Sequence, residues 1–148
     1  MSKIDKVLFS GKTHTTVSGG ARPGHHDKVD IRLTATKGKA PSHAFDALPA
    51  HPAAEQLFAG AWSACYTGAL DLAAQAMKIT LPADLAVDIE VDLGHKGSEY
   101  FLQARLTVTL PGMDAEVAKA VAHAADQACP YSKAVRGNID VELNVITA

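Results

Sequence analysis

The sequence has no surplus of charge of either sign and no long hydrophobic run. Its 148 residues include 14 lysines and arginines and 16 aspartates and glutamates, which gives a formal net charge of −2. A nucleic-acid-binding protein needs a basic surplus to neutralise phosphates, so this class is disfavoured. The longest uncharged stretch, residues 56–70, is shorter than the roughly 20 apolar residues that cross a membrane. No apolar segment follows Met1, so we expect a cytoplasmic protein without a targeting segment.

Cysteine and aromatic residues are scarce as well. Phe, Trp and Tyr together make up 5% of the chain, and there are two cysteines. Two cysteines in a cytoplasmic protein are not expected to form a structural disulfide, which leaves inert core residues or reactive thiols. The composition is otherwise that of a globular protein, with 47% hydrophobic and 20% charged residues. At this length we expect residues 1–148 to form a single domain.

Four segments alternate apolar and polar residues with the period of a half-buried strand. They lie at residues 29–33, 85–93, 102–110 and 139–145. The second and third are joined by a short loop that contains glycine, which predicts an antiparallel hairpin. Residues 4–17 favour a further strand through their Val, Phe and Thr content. Because each strand hides one face only, we expect antiparallel sheets with one side in solvent.

A first helix is predicted from about Pro52 to Met77. Its middle is apolar or small on every side, which is typical of a central helix that is covered all round. The order of elements then predicts an α+β fold, with antiparallel sheets wrapped around a buried central helix. A single chain of 148 residues has little material to cover such a helix, so we expect a homodimer.

A second helix is predicted after Gly112, with Asp114 as its N-cap. Pro130 interrupts it, because the residue before a proline resists the helical conformation. Pro130 also suits the first position of a further short helical turn, which Cys129 would cap and Gly137 would close. Cys129 is thus expected at a helix N-terminus, where the helix dipole lowers the pKa of a thiol.

The other cysteine, Cys65, lies in the middle of the first helix. The two thiols lie on helices that we expect to pack together, so they could meet as an attacking and a resolving pair. A reactive thiol needs a nearby cation. Arg22, in a loop rich in glycine and proline, and Arg136, in another loop, are the two candidates. Arg32 and Arg105 occupy polar positions of strands, where we expect them to be solvated.

Other chemistry has less support in the sequence. Glu55 is an acid in the first turn of the first helix, where acids commonly interact with the helix dipole. Potential metal ligands outside the cysteines are His25, His26, Asp27, His43 and His51. Their spacing matches no structural or catalytic zinc site, so no metal is expected. No dinucleotide fingerprint occurs, which disfavours a nicotinamide or flavin enzyme.

Two cysteine motifs resemble those of a known family. Residues 55–61, Glu-Gln-Leu-Phe-Ala-Gly-Ala, run into the Ala-Cys-Tyr of residues 64–66. Residues 129–132, Cys-Pro-Tyr-Ser, are followed by Arg-Gly-Asn-Ile-Asp-Val at residues 136–141. Together these stretches resemble the organic hydroperoxide resistance (Ohr) branch of the Ohr/OsmC family. The resemblance covers nearly the whole chain, and the two cysteine motifs are its most specific part.

The resemblance implies a thiol-dependent peroxidase that reduces organic hydroperoxides to alcohols. Cys65 would be the peroxidatic thiol and Cys129 the resolving thiol. Arg22 would stabilise the Cys65 thiolate and polarise the peroxide, and Glu55 would hold Arg22 by a charge-assisted pair. The resemblance also implies an intertwined homodimer that needs no metal or cofactor. Its reductant would be a lipoylated protein, or another dithiol in vitro.

The spacing of two of these residues limits how the site can be built. On one straight helix, Glu55 and Cys65 would lie about 15 Å apart along the axis, so one arginine could not contact both closely. We therefore expect either a helix break between them or a site shared across the dimer. In the second case Arg22 and Glu55 would face the partner subunit's Cys65.

Two other functions stay open at this point. The chain could be an OsmC-like peroxidase with a different peroxide preference. It could also be a non-catalytic ligand-binding domain on the same fold, with inert cysteines. Rapid disulfide formation with an organic hydroperoxide would distinguish the enzymes from the binding domain.

Overall fold

The computed structural model describes residues 3–18, 28–37 and 53–148, which form five strands and three helices. The strands are β1 (Lys6–Ser18), β2 (Lys28–Lys37), β3 (Ala86–Lys96), β4 (Glu99–Thr109) and β5 (Asp140–Ile146). The helices are α1 (Ala54–Met77), α2 (Ala115–Ala128) and α3 (Pro130–Val135). The predicted α+β class is confirmed. Within these ranges, no helix is both long and apolar enough to cross a membrane.

The five strands form one sheet in the order β2-β1-β3-β4-β5. β1 pairs antiparallel with β2 and β3, and β3 pairs antiparallel with β4. β5 pairs parallel to β4, so the prediction of purely antiparallel strands is wrong at this edge. The physical reason is the connection, because α2 and α3 form a helical crossover of the kind that two parallel strands require.

The predicted hairpin of β3 and β4 is confirmed, in continuous register from Ala86 opposite Thr109 to Lys96 opposite Glu99. Its turn is shorter than the sequence suggests, because the strands extend to residues 96 and 99. Gly97 adopts a φ of 59°, which suits a residue without a Cβ. On one face the apolar side chains of β3 and β4 are buried in the same cluster as those of α1 and α2. The hairpin therefore provides the wall against which the helices pack.

α1 is one unbroken helix of 24 residues. Gln56 Oε1 accepts a hydrogen bond of 2.8 Å from the Ala53 N–H at its start. The helix ends where Lys78 adopts a left-handed conformation with φ 56°. Among the residues that the structure describes, one side of α1 is covered, whereas Leu57 is 56% exposed and Leu72 is 64% exposed. The described residues therefore do not cover α1 all round.

Candidate active site

The two cysteines meet where α1 packs against the junction of α2 and α3. The Sγ atoms of Cys65 and Cys129 lie 3.5 Å apart, and both thiols are free. A disulfide bond measures about 2.05 Å between sulfurs, so the two atoms are in contact but not bonded. Cys129 is fully buried, whereas Cys65 is partly exposed. The structure thus brings together the two thiols that the sequence singled out.

Local sequence explains the position of Cys129. It follows the last residue of α2 and caps the N-terminus of α3, with Pro130 in the first turn of α3. Its N–H donates to the Ala125 carbonyl over 2.8 Å, and its own carbonyl accepts from the Lys133 N–H over 3.0 Å. Gly137 follows with a φ of 81°, where a side chain would strain the backbone. The predicted break and short helix are confirmed.

Three influences act on the pKa of the Cys65 thiol. Burial raises it, a hydrogen bond from the backbone N–H of Tyr131 lowers it, and the neighbouring Cys129 raises it again. The result is a pKa above the ordinary value, because burial disfavours the charged thiolate. No cation is among these influences within residues 3–18, 28–37 and 53–148. A positive group close to this thiol would favour its thiolate form.

Two buried hydrogen bonds join α1 to the helices that carry Cys129. Trp62 Nε1 donates to Ser132 Oγ over 3.1 Å, and the Tyr66 hydroxyl donates to the Ala122 carbonyl over 2.7 Å. Burial, with smaller contributions from Asp126 and Cys129, raises the pKa of Tyr66 far above its ordinary value. The sequence alone did not single out Ser132 as a contact of Trp62. The available signal was the spacing, because Ser132 follows Cys129 by three residues and Trp62 precedes Cys65 by three.

Glu55 lies in the first turn of α1 and is 6% exposed. Its Oε2 atom is buried and has no hydrogen-bond partner among the residues that the structure describes. Because α1 is continuous, the predicted alternative of a helix break between Glu55 and Cys65 is wrong. A separation of ten positions corresponds to about 15 Å along the helix axis. Arg22 lies outside the described residues.

The remaining arginines have other neighbours. Arg136 Nη2 lies 2.8 Å from Asp126 Oδ2 and also donates to the Asp126 carbonyl. Arg105 was expected to be solvated, but its guanidinium lies 2.8 Å from the buried Asp92 and also pairs with Glu90. The alternation of β4 predicts only that Arg105 points away from the core, and cannot reveal which acids lie beside it. Arg32 is exposed as expected.

A pocket of about 380 Å³ lies beside Trp62 and Ser132, both of which line it. It is lined by residues of α1, α2, α3 and β5, among them His123, Arg136 and Val141. No group of three or more His, Cys, Asp or Glu side chains that could hold a metal ion occurs in the described ranges. The candidate ligands His25, His26, Asp27, His43 and His51 lie outside them.

Fold and site together define a class: a mixed α+β domain with two free thiols in contact on packed helices. Residues 45–144 match the family model described as OsmC-like protein. The chain therefore belongs to the OsmC-like family.

Named relatives place the chain near one branch of this family. It is 35% identical over 145 residues to an organic hydroperoxide resistance protein of Xanthomonas axonopodis pv. citri, covering 98% of this chain and 99% of that one. The crystal structure of the organic hydroperoxide resistance protein OhrB of Bacillus subtilis is similar with a TM-score of 0.62 and 31% identity. That match covers 88% of this chain and 95% of the other. The resemblance seen in the cysteine motifs is confirmed.

Proposed function

We propose that this chain is a thiol-dependent peroxidase that reduces organic hydroperoxides to alcohols. Cys65 is the attacking thiol and Cys129 the resolving thiol. The single observation that carries the proposal is the 3.5 Å contact between their sulfur atoms. The substrate class is suggested by the relatives, which are named for resistance to organic hydroperoxides.

The reaction balances with one peroxide and two thiols. The Cys65 thiolate attacks one peroxide oxygen, the O–O bond breaks, and the leaving alkoxide takes a proton to become the alcohol. Cys65 is then a sulfenic acid. The sulfur of Cys129 attacks the Cys65 sulfur, and the hydroxyl leaves as water with the proton of the Cys129 thiol. The peroxide has gained two electrons, and the two cysteines have formed a disulfide.

Exposure decides which thiol reacts first in this proposal. Cys65 is partly exposed, whereas Cys129 is 0% exposed and cannot meet a substrate before the structure opens. The backbone N–H of Tyr131 also points to the Cys65 sulfur, where it favours negative charge. The 3.5 Å separation leaves each sulfur within reach of the other without a change of fold.

Arg22 is proposed to supply the missing positive charge at the thiol, held by Glu55. A buried carboxylate oxygen without a partner among the described residues supports this role, because such an oxygen needs a cation or a hydrogen-bond donor. A guanidinium remains charged at all relevant pH values and has several donors for sulfur and oxygen. Since α1 is continuous, we place Glu55 and Arg22 beside the partner subunit's Cys65.

This arrangement requires a homodimer, which we propose to be intertwined through α1. Small or apolar side chains recur at the spacing of one helical face, and each of them is exposed within this chain. They are Leu57, Ala61, Ala64, Gly68 and Leu72. A second copy of the same helix would bury this face and complete the wrapping of α1.

Further features of the proposal concern turnover and location. The disulfide returns to two thiols by exchange with an external dithiol, for which a lipoylated protein is the proposed source. The described chemistry uses two sulfurs and needs neither a metal nor a bound cofactor. The proposed location is the cytoplasm, where thiols are kept reduced between turnovers.

A free-thiol count on the reduced protein tests the proposal. One equivalent of tert-butyl hydroperoxide is expected to lower the count from two thiols to none, and dithiothreitol is expected to restore both. Hydrogen peroxide at the same concentration is the matched oxidant without an organic group. If both thiols persist in the folded protein, the cysteines are inert and the ligand-binding alternative replaces the peroxidase.

A further inference from the structure

The distance between the thiols depends on contacts outside the thiols themselves. Cys129 lies between two helices, and the second of these, α3, has 6 residues. A helix this short does not form stably alone, so its position is set by tertiary contacts. Disulfide formation tolerates only a narrow range of Cα separations, from about 4.4 to 6.8 Å. A contact that holds α3 against α1 therefore controls whether Cys129 can reach Cys65.

The hydrogen bond between Trp62 Nε1 and Ser132 Oγ provides such a contact. Trp62 precedes Cys65 by three residues, so the two side chains lie on neighbouring positions of the same face of α1. Ser132 follows Cys129 by three residues on α3. The bond thus joins the same two helices one turn away from the thiol pair, over 3.1 Å.

Burial makes this hydrogen bond more than a surface contact. Trp62 is 0% exposed and Ser132 is 3% exposed, so water does not compete for either group. If one partner is removed, the other is left buried without a hydrogen bond, which favours movement of α3 away from α1. A displacement of α3 by about 1 Å is comparable with the movement of about 1.5 Å that brings the two sulfurs from contact to bonding distance.

We propose that Trp62 and Ser132 are positioning residues for the resolving step. This inference rests on the proposed peroxidase function. The hydrogen bond holds Cys129 beside Cys65, so that disulfide formation precedes further oxidation of the sulfenic acid to sulfinic acid by a second peroxide. Neither residue takes part in proton transfer or contacts the peroxide in this role.

The test compares Ser132→Ala with two controls. Ser132→Thr keeps the hydroxyl and is expected to retain wild-type behaviour. Ser63→Ala is the matched loss, because Ser63 is 0% exposed and its hydroxyl bonds Thr15 of β1, not α3. Both alanine variants lose one buried hydrogen bond of α1, so a merely structural effect would appear in both.

The readouts separate attack from resolution. Dimedone trapping in a Cys129→Ser background is expected to give the same rate of sulfenic acid formation with and without Ser132→Ala. With Cys129 present, Ser132→Ala is expected to form the disulfide about 3 to 10 times more slowly, as the loss of about one hydrogen bond implies. Mass spectrometry should then find more Cys65 sulfinic acid under excess tert-butyl hydroperoxide.

Equilibrium with glutathione tests the positioning without any peroxide. At a fixed ratio of oxidised to reduced glutathione, Ser132→Ala is expected to lower the disulfide-to-dithiol ratio, whereas Ser63→Ala leaves it unchanged. Equal effects of the two alanine variants, or no effect of Ser132→Ala, would overturn the proposal. If the wild-type protein does not react with hydroperoxide, the proposed peroxidase function is wrong. The glutathione equilibrium then still decides whether the hydrogen bond positions the thiols.

Discussion

At the scale of single residues, the two cysteines have the same side chain but different environments. Cys65 is partly exposed and receives a backbone hydrogen bond from Tyr131, whereas Cys129 is buried at a helix junction. In the proposed mechanism, the same thiol chemistry is therefore divided into an accessible attacking group and a protected resolving group. Their 3.5 Å contact would give the resolving thiol direct access to the oxidised Cys65.

This division predicts different failures of the two serine variants. Cys65→Ser is expected to abolish hydroperoxide turnover, because a serine hydroxyl is a weak nucleophile at its ordinary pKa. Cys129→Ser is expected to consume about one peroxide per subunit and then stop, with Cys65 as sulfenic acid or a higher oxide. Peroxide consumption and the mass of the Cys65 peptide measure both outcomes. Full turnover by Cys65→Ser would mean that another group attacks the peroxide.

At the scale of secondary-structure elements, charge on the outer face joins the strands of the sheet. Asp92 of β3 is 2% exposed and accepts hydrogen bonds from Ser10 of β1 and from Gln103 and Arg105 of β4. Burial alone would raise the pKa of Asp92, but these hydrogen bonds and the charge of Arg105 outweigh it and lower the pKa. Three adjacent strands are therefore tied together through one carboxylate.

The lowered pKa predicts how stability depends on acid. The ionised form of Asp92 stabilises the fold above its unfolded pKa of about 3.9, and this contribution is lost as pH falls through the lower folded-state pKa. Asp92→Asn is expected to cost about 3 kcal/mol at pH 7, because Arg105 loses a buried partner. The difference from wild type is expected to narrow at low pH, measured by urea unfolding at pH 7 and pH 3.

Asp88→Asn is the matched control for this prediction. Asp88 lies on the same strand and pairs over 2.9 Å with His14, whose side chain is 46% exposed. A pair this exposed contributes at most about 1 kcal/mol, so this variant should unfold close to wild type. A loss for Asp92→Asn that is equally large at both pH values would contradict the role of its charge.

At the scale of the whole molecule, the described residues leave one face of α1 exposed and one oxygen of Glu55 without a partner. The exposed apolar face of α1 includes Leu72, which is 64% exposed. At the start of the same helix, Glu55 Oε2 is buried without a partner in the described part of the chain. A second subunit would cover the exposed face of α1 and would bring Arg22 and Glu55 to the partner subunit's Cys65.

Mixed dimers test this shared site. Arg22→Ala subunits and Cys65→Ser subunits are each expected to be nearly inactive alone and to keep their fold. Co-expressed, they should regain about a quarter of wild-type turnover, because half of the dimers carry one intact shared site. If Arg22 served the cysteine of its own subunit, no mixed dimer would contain an intact site, and activity would not return.

A second mixture is the control for complementation. Cys65→Ser and Cys129→Ser subunits should not complement each other, because the two sulfurs lie 3.5 Å apart within one chain. Activity in this mixture would mean that the cysteines also pair across the dimer. Turnover with tert-butyl hydroperoxide and a dithiol measures both mixtures.

The sequence by itself determined the local elements. Alternating apolar residues predicted the strands, and Asp114, Pro130 and Gly137 predicted where α2 begins, where it breaks and where α3 ends. These features depend on interactions between residues close together in the chain, such as the hydrogen bonds from two backbone N–H groups to Asp114. The motifs around both cysteines were also sufficient to suggest the family.

Only the tertiary structure decided which of these elements meet. It placed the two sulfurs in contact, joined Trp62 to Ser132 and gave Arg105 its buried partner Asp92. It also made β5 parallel to β4 and α1 continuous, which removed the helix break as an explanation. Periodicity assigns each residue to a face, but partners distant in sequence are selected by the packing of the whole chain, where burial makes each unpaired polar group costly.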